Sequence, residues 1–130
     1  MRLTRQRLAI YRELESRYDH PDVEHLFNAV KPRIPRISLF TVYRTMNALE
    51  SAGMVRRVAT WRGHARYDAI VDMHAHFLCD VCGRIDDVDA GNCGDLAAHA
   101  KSCVKGLVRR VDMMVSGTCV TCLAAQAETP

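Results

Sequence analysis

The chain has no cysteine before residue 79, no internal repeat, and no stretch near the roughly 20 consecutive apolar residues of a membrane span. A membrane partner is therefore not expected. Its start, Met1-Arg2-Leu3-Thr4-Arg5-Gln6-Arg7, lacks the apolar centre of a secretory signal, so a cytoplasmic location with reduced thiols is expected. An acid/base residue set beside a nucleophile is missing too, and 130 residues are too few for a large multi-domain enzyme. These absences argue against an enzyme, although a small zinc enzyme or thiol oxidoreductase remains the contrasting class.

What is present has the balance of a soluble globular protein: 48% hydrophobic, 25% charged, and a mean hydropathy of -0.12. The net charge of +3 conceals an asymmetry. Residues 1–66 carry 13 Lys+Arg against 6 Asp+Glu, whereas residues 67–130 carry 5 against 9. A basic first half suits a polyanion, since each neutralised phosphate releases condensed counterions.

Three helical patterns open the chain. After Thr4 as N-cap, Leu8, Tyr11 and Leu14 recur with helical spacing to about Ser16. His20-Pro21-Asp22 then starts a second helix with Pro21 in its first turn and Val23, Leu26, Phe27 and Val30 on one face, closed by Lys31-Pro32. Ser38 caps a third, with Leu39, Val42, Met46 and Leu49 inward and Gly53 as its C-terminal stop. Phe40, Arg44, Asn47 and Ser51 face the other way, with Tyr43 on the flank. An outward Phe, Arg and Asn on a helix after a short helix pair suit a major groove, where Arg reads guanine and apolar groups touch thymine methyls. Packing of Phe40 on a neighbouring element is the competing explanation. A hairpin follows, residues 54–61 and 65–70 around a turn at Arg62-Gly63-His64, which makes the first 69 residues a winged helix-turn-helix.

Residues 70–130 read as a second small α+β unit, with strands near 77–78, 85–88 and 108–115. Its helix is expected from Asp95, with Leu96, His99 and Cys103 on one face, and its end, 125–130, as a frayed tail. About 60 residues are short of core, so a metal staple or dimerisation is expected. Cys79-Asp80-Val81-Cys82-Gly83 and Cys119-Val120-Thr121-Cys122 form two Cys-x-x-Cys knuckles that can supply four thiolates to a structural Zn(II); a redox dithiol is the alternative. Cys93 and Cys103 lie outside the pattern and are expected as small buried hydrophobes. A mixed set, His20, Asp68, His74, His76 and Asp87, suits Fe(II), Mn(II) or Zn(II). Alternation along a strand puts His74 and His76 on one face.

Thr4-Arg5-Gln6-Arg7, His20-Pro21, Ile37 through Arg44, Arg66-Tyr67-Asp68, His74 through Cys79, Cys82-Gly83 and Cys119 through Cys122 together resemble the ferric uptake regulator family, in order and over nearly the whole chain. The resemblance implies a dimeric, metal-dependent transcriptional repressor on double-stranded operator DNA with an inverted repeat, its C-terminal α/β domain pairing two copies. It is sharper for the peroxide-responsive subgroup, in which Asp stands at the position of Asp87 where iron sensors carry Glu. By that likeness His20, Asp68, His74, His76 and Asp87 hold regulatory Fe(II) or Mn(II), and hydrogen peroxide inactivates the repressor by iron-catalysed oxidation of His20 and His74. An iron-responsive ferric uptake repressor is the alternative, and Arg44 after Tyr43 follows that subgroup. His20 precedes the hinge and the other four residues lie at or beyond it, so a shared ion would clip the two halves into one orientation.

Overall fold

The computed structural model describes residues 1–69, 75–88 and 93–128, without the side chains of 93 and 94. Two compact units, Met1–Val71 and Asp72–Pro130, make up the chain. The first holds helices α1 (Arg5–Glu15), α2 (Val23–Val30) and α3 (Leu39–Ser51), then the antiparallel pair β1 (Arg56–Trp61) and β2 (His64–Asp68). Each helix starts where a side chain takes an orphan amide: Thr4 accepts from the Arg7 N–H, Asp22 from His25 and Ser38 from Thr41. The Asp22 cap sets the start of α2 at Val23, so Pro21 lies before the cap and not in the first turn as its spacing suggested.

The inward faces of these helices meet in one core of Ile10, Leu14, Val23, Leu26, Val30, Ile37, Val42, Met46, Leu49, Val55 and Tyr67. Full burial of each large aliphatic side chain stabilises the fold by about 1.5–3 kcal/mol before entropy is counted. Leu39 only flanks this core, while Thr45 is buried within α3. Gly53, at φ +74, reverses the chain after α3. The hairpin loop is tighter than the sequence suggested. Only Arg62 and Gly63 form it, at φ 51 and 81, and His64 already pairs with Trp61. Two residues at positive φ match the twist of the flanking strands. A register shift between Arg57 and Ala59 adds a bulge.

In the second unit, β3 (Ala75–Cys79) is central, antiparallel to β4 (Ile85–Val88) and parallel to β5 (Met113–Gly117), with helices α4 (Cys93–Ser102) and α5 (Val120–Ala127). The α+β class is as expected, but details differ. The last strand starts at Met113, opposite Ala75, and not at Val108, because pairing with β3 sets its bounds. Helix α4 begins at Cys93, two residues before the expected start, and buries Ala97 while Leu96, His99 and Cys103 are exposed. Helix α5 reaches Ala127, so residues 125–127 are helical and not a frayed tail.

Candidate metal centres and nucleic-acid interface

The four knuckle thiols converge. Cys79 ends β3, Cys82 lies in the turn after it, and Gly83 at φ 78 lets that turn close, with its N–H donating to the Cys79 carbonyl at 2.9 Å. Cys119 is the N-cap of α5 and Cys122 sits in its first turn. The Asp80 N–H donates to the Gly117 carbonyl at 2.8 Å, tying the first knuckle to the strand that leads into the second. Sulfur separations are 3.9 Å for Cys79–Cys122 and 3.8 Å for Cys82–Cys119, and all four sulfurs lie within 4.8 Å of one another. A zinc tetrahedron with bonds of about 2.3 Å has edges of about 3.8 Å, so these thiols fit structural zinc.

The thiols differ in how readily they ionise. The Cys119 backbone N–H donates to the Cys79 sulfur at 3.3 Å, and this bond leads the effects that lower the Cys79 thiol to about 6. Hydrogen bonding with neighbouring sulfurs, Cys119 first, raises Cys122 to about 12. One sulfur thus ionises easily while the next resists, an imbalance that a dication removes by displacing the remaining protons. Cys103, in the turn just past the end of α4, is an exposed free thiol 3.9 Å from the His99 ring and not a buried hydrophobe. The Cys93 side chain lies outside the described residues.

The nitrogen and oxygen donors form two pairs, one in each unit. In the first, His20 and Asp68 are both buried, with Nε2 and Oδ2 3.3 Å apart. His20 is held at φ 52, a left-handed conformation that non-glycine residues adopt at a cost. Arg66 maintains it: its guanidinium donates from Nε to the His20 carbonyl and from Nη2 to the Asp19 carbonyl at 2.9 Å. The Tyr67 N–H adds a bond to the Pro21 carbonyl at 3.1 Å. Strand β2 therefore anchors the loop that presents the imidazole. Arg66 cannot be assigned this task from the sequence, since a clamp between residues 46 apart has no local signature.

In the second unit, His76 and Asp87 are direct partners across β3 and β4, with Nε2 and Oδ1 3.4 Å apart. His76 is buried, whereas Asp87 is exposed. Imidazole beside carboxylate is a donor set for Fe(II), Mn(II) or Zn(II), and the carboxylate also orients the ring. His74 lies outside the described residues.

On α3 the outward residues are where the helical period puts them. Phe40 is 68% exposed, Tyr43 is 43% exposed, and Arg44 and Asn47 are exposed. The Arg44 guanidinium stacks over the Phe40 ring at 5.7 Å. Phe40 is thus no core residue of its own unit. At the hairpin tip Arg62 covers the Trp61 ring at 4.4 Å.

A capped helix pair and exposed third helix beside a basic hairpin, with soft and borderline metal-donor clusters in the same chain, define a metal-binding regulator of winged-helix type. Residues 1–107 match the ferric uptake regulator family, and the chain belongs to that family, whose members are metal-dependent transcriptional regulators and not enzymes. The chain is 41% identical over 90 residues to ferric uptake regulation protein 1 of Mycolicibacterium fortuitum, a match over 68% of this chain and only 55% of that protein. It is 29% identical over 122 residues to the peroxide-responsive repressor PerR of Staphylococcus epidermidis, covering 94% of this chain and 81% of that one. The crystal structure of the Campylobacter jejuni peroxide stress regulator superposes with a TM-score of 0.79 at 28% identity, covering 90% of this chain and 88% of that one. Among the described residues no helix is long and apolar enough to cross a membrane.

Proposed function

We propose that this chain is a cytoplasmic, metal-dependent repressor that binds inverted-repeat operator DNA as a homodimer and is inactivated by hydrogen peroxide. Residues 1–69 read the DNA and residues 70–130 pair the two copies. Cys79, Cys82, Cys119 and Cys122 hold structural zinc, while His20, Asp68, His74, His76 and Asp87 hold Fe(II) or Mn(II). The observation that carries the peroxide reading is the carboxylate opposite His76: it is Asp87, in register across the sheet. Similarity to peroxide-responsive repressors over 94% of the chain supports it.

His20 and Asp68 belong to one unit and His76 and Asp87 to the other. Ligation by both pairs at once would select one orientation of the units, and only differential affinity for that orientation can shift the equilibrium toward it. Fe(II), when bound, supplies the reducing chemistry that lets peroxide place one oxygen on a ligating imidazole, with water leaving. The residues of this chain do the rest. Arg66 and β2 keep His20 aimed, and an oxidised His20 no longer offers the same nitrogen donor, so the first unit is released. Phe40, Tyr43, Arg44 and Asn47 enter the major groove.

Fe(II)-loaded protein treated with low peroxide should gain the mass of one oxygen on peptides containing His20 or His74 and lose duplex binding, whereas the Mn(II) form should keep both its mass and its DNA. An unmodified Fe(II) form that stays on DNA would favour the iron-responsive repressor. That second reading is supported by the 41% identity to a ferric uptake regulation protein and by Arg44 directly after Tyr43.

A further inference from the structure

Among the described residues, one thiol lies beside an imidazole outside both metal-donor clusters: Cys103 with His99. His99 occupies the last turn of α4 and Cys103 follows its end, so a spacing of four residues brings the two side chains to one side. The backbone holds both. The Ser102 hydroxyl donates to the His99 carbonyl at 2.6 Å, and the Cys103 N–H donates to the Ala100 carbonyl at 3.2 Å. Sγ and Nε2 lie 3.9 Å apart, and both residues are exposed. Metal bonds of about 2.3 Å to sulfur and about 2.0 Å to nitrogen put two donors about 3.5 Å apart at a tetrahedral angle and about 4.3 Å apart in a straight line. The pair falls between those limits as it stands.

We propose that Cys103 and His99 form a surface site for a soft monovalent cation, copper(I). The site goes beyond the repressor reading and does not depend on it. Thiolate beside imidazole selects soft and borderline ions over the hard cations that carboxylates favour. Charge and donor number then separate copper(I) from zinc(II). Lys101 and Lys105 flank Cys103 in the sequence and are exposed, so copper(I) on the thiolate adds no net charge between them, whereas zinc(II) would leave a further positive charge there. Among the described residues no carboxylate or further thiol joins the pair within 4.8 Å. Two donors satisfy copper(I) but leave half of a zinc tetrahedron to water. The C-terminal end of α4 adds the negative end of its helix dipole, which favours a cation. Binding releases the Cys103 proton, and the open solvent side lets a small thiol exchange the ion.

Full-length protein loaded with zinc and Mn(II) would be titrated anaerobically with copper(I) against a chromogenic copper(I) chelator. The wild type should take one copper(I) per chain from the chelator while keeping its zinc. Cys103→Ala should lose that equivalent, and His99→Ala should give up its copper at a lower chelator concentration. Copper X-ray absorption should show one sulfur and one imidazole nitrogen in the wild type, with the nitrogen signal missing from His99→Ala. Both substitutions fall on exposed side chains, so zinc content and far-UV circular dichroism should not change. Retention of the full equivalent in Cys103→Ala, zinc release in step with copper uptake, or a copper site of sulfur alone would overturn the assignment. So would zinc(II) filling the pair in preference to copper(I).

Discussion

In the first unit Ile10, Leu26, Val30, Val42, Met46 and Leu49 are wholly buried and belong to one continuous aliphatic core. In the second, the buried hydrophobic residues among those described are Ala75, Cys79, Ile85, Ala97 and Cys119, two of which belong to the thiol cluster. Other apolar side chains there are exposed, Leu107 at 75% and Val120 at 78%, while Phe77 and Leu78 are half-buried. The second unit thus places sulfur where the first places aliphatic carbon. A metal bond can supply the cohesion that a core this small lacks, and the uncovered apolar residues are suited to a second copy of the chain.

Removing zinc should break this contrast most strongly. Apparent zinc binding to structural thiol sites contributes about 10–16 kcal/mol at neutral pH, which exceeds what Ala75, Ile85 and Ala97 can provide. Chelation, or Cys79→Ser, should therefore abolish hydrogen-exchange protection across 75–79, 85–88 and 113–117 while amides of α1 to α3 stay protected. Full protection of the second unit in zinc-free protein would show that its core suffices without the staple.

The converse test lies in the first unit. Leu26 is completely buried among side chains of all three helices, so Leu26→Ala should cost about 2–5 kcal/mol through lost transfer energy and the cavity left behind. Calorimetry should show the corresponding transition falling sharply, with one zinc per chain retained. A loss of zinc in parallel would mean that the units do not stand independently.

The same contrast explains what could be read from sequence. Helices α1 and α3 announce themselves because caps at Thr4 and Ser38 precede side chains with a period of 3.6, and α2 shows its apolar face by the same local period although its Asp22 cap does not follow from the His20-Pro21-Asp22 spacing. The cysteine knuckles are legible for a different reason, since two Cys-x-x-Cys spacings restrict the chemistry whatever the fold. The bounds of β5 are not legible in the sequence because its limits come from β3, and the inward face of α4 is obscured because Ala97 offers a weaker pattern than Leu96 and His99. At the candidate metal centres, Asp87 opposite His76 follows from strand pairing once the register is known. The His20–Asp68 pair does not, because it requires a left-handed residue and an arginine clamp from a strand far along the chain.

The smallest expected effect isolates the backbone from the packing. Gly53 ends α3 at φ +74, and a Cβ built there meets nothing within 4 Å, so Gly53→Ala tests conformation alone. An alanine in left-handed geometry costs roughly 1–2 kcal/mol. Its lower unfolded-state entropy offsets about 0.4–1 kcal/mol of that, leaving a net destabilisation near 1 kcal/mol. Urea unfolding should show a small fall in midpoint for the first unit with an unchanged slope. The zinc-dependent transition should not move, because the substitution touches no side chain. A loss as large as that of Leu26→Ala would mean that the reversal after α3 also governs how β1 reaches the core through Val55.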